Sequence, residues 1–360
     1  LNGDDDLDPV LRKLGWNSFF GESFREYVQG HEPGRISSVN KNGCKVYTKN
    51  GEVSARVSGR LRQDGQYPAV GDWAAISEDN TGTCTINAIL PRKNKISRKD
   101  AGRVTGEQVI VTNVDMAFIM TSLNRDLNMR RLERYLAIVR QSGVDPVIVL
   151  NKSDICSDVD ARINDVLAIA PDVPVYAISA TGNVGMGSLS PYLQDGKTVV
   201  LLGSSGVGKS TLINALDGVE RQKVGEIRED DSRGRHITTV RELILLKKGG
   251  VIIDNPGMRE LQLWDASDGL LTTFLDIEEL AAKCKFSDCQ HETEPGCMIK
   301  KAIAEGTLSG VRFESYRKLQ RELLAIERKK NPDLQRAEKK KWKKIGIMAK
   351  EIQNRKERGM

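Results

Sequence analysis

The chain contains no run of about 18 uninterrupted apolar residues, so nothing in it reads as a membrane-spanning helix and no membrane partner is expected. Its first residues, Leu1 to Asp8, are acidic and polar and lack the basic-then-apolar layout of a secretory leader, which makes the cytoplasm the expected location. Aromatics are sparse at 5% and histidines number only three, so a histidine inside a cluster of other ligands carries weight. No internal repeat is evident, which excludes a solenoid. Cysteine is limited to six residues, of which Cys44, Cys84 and Cys156 are scattered while Cys284, Cys289 and Cys297 crowd beside His291. That distribution argues against a disulfide framework and for a metal. The net charge of +6 is small and uneven: Glu327 to Met360 holds thirteen Lys/Arg against five Asp/Glu, so basicity belongs to the tail.

What is present suits a globular chain of two or three domains, with 39% hydrophobic and 29% charged residues over 360 positions. From Arg35 to Pro91, short β-type runs alternate with the turn pairs Asn42-Gly43, Asn50-Gly51 and Asp64-Gly65. These are hairpin-type signals and predict a small OB-type barrel, although strand counting alone leaves any other small β-barrel open. The basic stretch Pro91 to Lys99 reads as a linker with a solvated surface. Beyond it the grammar is α/β. Gln108 to Met120 reads as one buried strand, Met129 to Ser142 as a helix stopped by Gly143, and Pro146 to Leu150, Val173 to Ile178 and Thr198 to Leu202 as further strands. Glu242 to Leu246 and Val251 to Ile253 flank Gly249-Gly250 as a hairpin, and past about Leu270 helices surround the Cys/His cluster.

Between the strand Thr198 to Leu202 and a helical stretch lies Gly203-Ser204-Ser205-Gly206-Val207-Gly208-Lys209-Ser210-Thr211, a complete phosphate-loop pattern in the required context. Glycines let backbone N–H groups close around phosphates at a helix N-terminus, Lys209 brings a point charge to the β- and γ-phosphates, and Ser210 can ligate Mg²⁺. Asn151-Lys152-Ser153-Asp154 follows another strand. A carboxylate at 154 can accept from N1 and N2 of guanine, donors that adenine does not offer, with the Asn151 amide expected on the other edge. Ser179-Ala180 ends a third strand and is expected to bring a backbone N–H to guanine O6. Asp254-Asn255-Pro256-Gly257 ends the strand before it, where a P-loop GTPase places a Mg²⁺-directed carboxylate and the glycine N–H that senses the γ-phosphate.

Gly234-Arg235-His236-Ile237-Thr238-Thr239 occupies the interval of the first switch, with Thr238 the expected Mg²⁺ contact and Thr239 the fallback. The residue after Gly257 is Met258, whose thioether cannot orient water, so slow intrinsic turnover is expected. Either His236 or a group lent by a partner then completes catalysis. Cys284-x₄-Cys289-x-His291-x₅-Cys297 is the donor set of a structural tetrahedral Zn²⁺ with no open position. Lys339 to Lys344, interrupted by Trp342, offers charge for phosphates and a ring for an unpaired base.

The guanine-reading motifs precede the phosphate loop, the reverse of the ordinary order. All such loops sit at the carboxyl edge of one sheet, so cutting and rejoining the chain elsewhere leaves the site intact. This order, with Ala69-Val70-Gly71-Asp72-Trp73, Leu132-Glu133-Arg134-Tyr135-Leu136 and the Cys/His cluster, resembles the ribosome small subunit-dependent RsgA GTPases from about Arg35 to Ala325. The resemblance implies an N-terminal OB barrel, a central circularly permuted P-loop GTPase domain and a C-terminal helical zinc domain. The expected boundaries are 1–31 for an N-terminal extension, 32–92, 93–270 and 271–330 for those three, and 331–360 for the tail. It further implies a monomeric late assembly factor of the small ribosomal subunit that contacts rRNA, uses GTP/GDP, Mg²⁺ and one Zn²⁺, and employs His236 in catalysis. The competing reading is an RNA-binding scaffold with GTP as a structural ligand. Two departures stand out: Asn255 where the family usually has Thr, expected to be tolerated because that position contributes mainly backbone, and Ile237 in place of a Thr.

Overall fold

The computed structural model describes residues 8–41, 43–79, 82–99, 107–124, 126–218, 241–255 and 267–330. Readings that fell on Gly234 to Thr239, including His236 and Thr238, on Pro256 to Met258, and on the tail around Trp342 lie outside the described residues.

Two short helices open the described chain, α1 (Pro9–Lys13) and α2 (Ser18–Phe24), capped by the side chains of Asp8 and Asn17. Their apolar faces, Leu11, Leu14, Phe20 and Phe24, with Trp16 between them, pack on Trp73, Ala75 and Leu90; the Trp16 and Trp73 rings meet edge-on at 4.7 Å. Each such large side chain contributes on the order of 1.5–3 kcal/mol by leaving water. The segment is therefore an integral wall of the barrel that holds Trp73.

The strands β1 (Glu32–Asn40), β2 (Gly43–Thr48), β3 (Gly51–Val57), β4 (Trp73–Glu78) and β5 (Cys84–Ile89) close on themselves in the order β1-β2-β3-β5-β4-β1, with β3 and β5 parallel. A helix, α3 (Gly59–Gln63), sits between β3 and β4. This is the OB order, and it removes the alternative barrels that strand counting leaves open. Ile36, Val46, Ala55, Leu61, Ala74, Ile76 and Ile86 fill the interior. Asn50-Gly51 is the expected hairpin turn between β2 and β3. Asp64-Gly65 is not: the Asp64 N–H returns to the Arg60 carbonyl and Gly65 takes φ +66°, which is how a helix stops.

The supposed linker also differs from expectation. Lys95–Lys99 forms β6, paired antiparallel with β7 (Glu107–Thr112), and Arg92 grips buried Asp72 through two hydrogen bonds of 2.7 Å. The run expected as one strand from Gln108 to Met120 is two, β7 and β8 (Met116–Ser122). Asn113 breaks it at φ +55°, a conformation asparagine tolerates, and its amide fixes the turn by donating to the Gly71 carbonyl and accepting from the Lys93 N–H.

The nucleotide-type sheet continues with α4 (Met129–Gln141), β9 (Asp145–Asn151), α5 (Val159–Leu167), β10 (Val175–Ala177), β11 (Thr198–Leu202), α6 (Lys209–Asp217), β12 (Glu242–Leu245) and β13 (Val251–Asp254). Its order is β10-β9-β8-β11-β13-β12, parallel except for β12, and β12 touches barrel strand β1 at Glu242 and Ser38. Arg35, fully buried, pins the junction: it donates to the carbonyls of Leu14 and Asn113 and to Thr198 Oγ1. Burial pushes its guanidinium pKa down to about 10 against the pull of Asp115 and Asp72.

Helices α7 (Ser267–Thr273), α8 (Leu275–Ala281), α9 (Met298–Ala304) and α10 (Gly310–Lys330) complete the described chain. α7 lies so close on α4 that a Cβ at Gly269 would collide with the Ala137 carbonyl. α10 meets α4 through the buried pair Arg312–Glu133 and the pairs Arg134–Glu322 and Arg130–Glu314. Among the described residues no helix is long and apolar enough to cross a membrane.

Candidate nucleotide site and metal centre

Every nucleotide-binding motif with described residues falls at the carboxyl ends of neighbouring parallel strands. β11, all five residues buried, delivers Gly203. β9 delivers Asn151, β10 leads to Ser179 and β13 ends on Asp254, which pairs with Leu201 across the ladder. Ligands bind at such an edge because strand ends and helix N-termini leave backbone donors unsatisfied there.

The phosphate loop is held by close approaches. A Cβ at Gly203 would meet the Met120 carbonyl, and one at Gly208, already at φ +97°, would collide with the Asn151 amide. Only glycine permits both. Lys209, 8% exposed, donates from Nζ to the carbonyls of Gly203 at 2.8 Å and Ser204 at 2.7 Å. An ammonium has three protons, so one remains for a phosphate oxygen. Burial lowers its pKa while the charges of Asp254 and Asp126 oppose that shift. Asp254 is itself 2% exposed at the end of β13.

On the base side, Asn151 does something the sequence did not reveal. Its Nδ2 donates to the Val207 carbonyl at 2.8 Å and its Oδ1 accepts from the Ala180 N–H at 3.1 Å. The amide expected on guanine thus staples the phosphate loop to the Ser179-Ala180 loop, and the N–H expected for guanine O6 is donated to that staple. Ser179 Oγ accepts from Gly182 N–H at 3.0 Å and so shapes its own loop. Lys152 stands in the left-handed region at φ +64°, which turns the chain to leave Asp154 exposed. Asp154 takes no hydrogen bond from the other described residues.

Asn255 is no bystander. Its Oδ1 accepts from Arg241 Nε at 2.9 Å, so its side chain contributes as well as its backbone. Burial takes Arg241 down to about 10, with Arg98 adding to the fall. Sequence reasoning also missed the loop before α4 and that helix's first turn, where Asp126 and Arg131 reach Ser204. Topology was the signal available: once β8 is placed beside β11, the loop leaving β8 must border the phosphate loop.

Some distance along the chain, Cys284, Cys289, His291 and Cys297 bring their ligand atoms within 4.8 Å of one another. His291 Nδ1 lies 3.6 Å from Cys284 Sγ and 3.4 Å from Cys297 Sγ, and those sulfurs are 4.0 Å apart. A tetrahedral zinc requires edges of about 3.8 Å between sulfurs and about 3.5 Å between sulfur and nitrogen, from bond lengths of about 2.3 and 2.0 Å. The donor set fits. Backbone N–H groups of Met298 and Lys300, at the start of α9, point at Cys284 and Cys297.

The chain matches the family model described as RsgA GTPase over residues 89–264, and one described as 50S ribosome-binding GTPase over residues 198–333. A protein of Methanosarcina acetivorans named small ribosomal subunit biogenesis GTPase RsgA is 44% identical over 348 residues, covering 96% of this chain and 93% of that protein. Proteins of the same name from Opitutus terrae, 43% identical over 93% of this chain and 96% of theirs, and, as RsgA 1, from Oceanobacillus iheyensis, 48% identical over 88% and 92%, are similar. Among solved structures, YjeQ from Thermotoga maritima superposes with a TM-score of 0.60 at 27% identity, over 82% of this chain and 99% of that one. YloQ, described as a circularly permuted GTPase, gives 0.56 at 26% over 82% and 96%. Identity of this size over nearly the whole of each relative, with a matched structure described as a circularly permuted GTPase, shows that the chain belongs to the RsgA family of circularly permuted GTP hydrolases.

Proposed function

We propose that this GTP hydrolase acts on the small ribosomal subunit late in its assembly, binding rRNA and turning over GTP when the subunit stimulates it. The observation that carries the reading is the convergence of Asp154, Lys209 and Asp254 on one sheet edge in a chain whose relatives are named small ribosomal subunit biogenesis GTPases. In this reading Asp154 selects guanine, with Lys152 and the Ser179-Ala180 loop framing the base. The backbone of Gly203 to Thr211 and the third proton of Lys209 hold the phosphates. Ser210, Asp254 and Thr238 are the residues that would hold Mg²⁺, which would supply charge neutralisation to the phosphates. Gly257 senses the γ-phosphate, and His236 or a group of the subunit orients the attacking water. Zinc on Cys284, Cys289, His291 and Cys297 is structural, fixing the helical region 271–330 beside the nucleotide domain 93–270, with the barrel at 32–92 after the extension 1–31. The barrel and the tail at 331–360 meet RNA, and the working form is a cytoplasmic monomer.

The test is GTP hydrolysis with and without purified small subunits, alongside Lys209→Ala. A sharp rise with subunits that is absent in the variant supports the proposal. No rise refutes it. Equal subunit affinity with GTP and GDP, measured by sedimentation against both ribosomal subunits, would favour a scaffold instead.

A further inference from the structure

No sequence motif marks the loop joining β8 to α4, yet it runs along the same carboxyl edge and reaches the phosphate loop. Asp126 Oδ1 lies 2.6 Å from Arg131 Nη1, and the same Nη1 donates to Ser204 Oγ at 2.9 Å. Ser204 Oγ donates in turn to Asp126 Oδ2 at 2.8 Å. The buried hydroxyl is thus held through both its donor and its acceptor capacity, inside a triangle of short charge-assisted bonds. The triangle is itself anchored. Asn128 caps α4 by accepting from the Arg131 N–H, and the Asn124 side chain accepts from the Asp126 N–H. One residue links this triangle to the chemistry: the Ser204 carbonyl is one of two that accept from Lys209 Nζ.

We propose that Asp126 and Arg131 are positioning residues for phosphate transfer, which fix Ser204 so that its carbonyl aims the Lys209 ammonium at the β- and γ-phosphates. This rests on the reading of Lys209 as the phosphate contact. Two effects of Asp126 oppose each other, and their opposition makes the idea testable. As a bare negative charge near an anion site, Asp126 repels the nucleotide, and neutralising it would tighten binding and leave hydrolysis unharmed. As part of the clasp, it is needed, and neutralising it slows the reaction.

The experiment measures subunit-independent single-turnover GTP hydrolysis, together with GDP affinity by a fluorescent analogue, for Asp126→Asn, Ser204→Ala, the double variant, Lys209→Ala and Ser204→Ala/Lys209→Ala. Circular dichroism and zinc content check that each is folded. Because lysine–phosphate contact strengthens as charge shifts in the transition state, kcat should fall about tenfold in each clasp variant while KM moves less than about threefold. The double variant should be no slower than the slower single, since both break one unit. Ser204→Ala should also weaken GDP binding less in the Lys209→Ala background than alone, which a general loss of structure would not produce. Unchanged or faster hydrolysis by Asp126→Asn, or additive losses in the double variant, would overturn the proposal while leaving the site reading intact. Full activity in Lys209→Ala would instead remove the reading beneath it.

Discussion

Replacing Arg312 by Met keeps the side-chain stem but removes the guanidinium from four neighbours. It donates to Glu133 Oε1 at 2.8 Å, to both oxygens of Asp276 at 2.8 and 2.9 Å, and to the Thr273 carbonyl at 3.0 Å, and it stacks 4.8 Å from the Phe274 ring centre. The Asp276 side chain is 48% exposed, so that part is screened and contributes about 0–1 kcal/mol. Glu133 is different: its side chain is 2% exposed and would be stranded as an unpaired buried charge, at a cost of about 3–5 kcal/mol. At roughly 2–4 °C per kcal/mol for a domain of this size, Tm should fall by about 10 °C. Adding Glu133→Gln should recover most of the loss, because the stranded charge disappears.

The pH dependence has a defined sign. Burial already raises the Glu133 pKa in the folded state, against the opposing pull of Ser315 and Arg312, and without Arg312 it rises further. A carboxyl whose folded pKa exceeds its unfolded value binds protons on folding, so stability increases as pH falls towards and through the raised pKa. The deficit of Arg312→Met should therefore be smaller at pH 6 than at pH 8, both measured by thermal unfolding with zinc present. A loss below about 1 kcal/mol, or a double variant no better than the single, would refute the reasoning.

Asp154→Asn should weaken GTP binding by about a hundredfold in calorimetry, since hydrogen bonds to a charged acceptor are worth about 1.5–3 kcal/mol each and one donor then faces an amide N–H; unchanged affinity would place guanine elsewhere. Asn151→Ala breaks two buried hydrogen bonds that staple the phosphate loop to the Ser179 loop, so nucleotide affinity should drop about tenfold or more, with GDP and GTP affected alike. Denaturation in the presence of a colorimetric chelator should release one zinc per chain, and Cys297→Ser should abolish that release and lower helicity.

Most of the nucleotide site was legible because each motif is contiguous and sits where its own strand ends. Gly203 to Ser210 needs only β11 before it and α6 after it. The Cys/His ligand set lies within fourteen residues, so its chemistry is readable without a fold. Features that depend on strand order were not readable in the same way. Asp126 and Arg131 meet Ser204 only because β8 and β11 are neighbours, and the Asn151 staple needs three loops brought together. Local ambiguity explains other differences. Asp-Gly at 64–65 suits a helix stop as well as a hairpin, and an apolar run such as 108–120 hides a bend that one asparagine supplies. The aromatic face of α2 gave no sequence sign that it belonged to the barrel until Trp73 was seen against it.

Helix α4 is gripped on several sides: by the Ser204 clasp at its start, by Gly269 of α7 along its middle and by Arg312 of α10. It therefore belongs as much to the C-terminal helices as to the sheet beneath it, and neither can lose it and stay whole. The two regions should behave as one cooperative unit, melting in a single calorimetric step, and truncation before α7 should leave the remainder aggregation-prone as α4 presents its uncovered face to water.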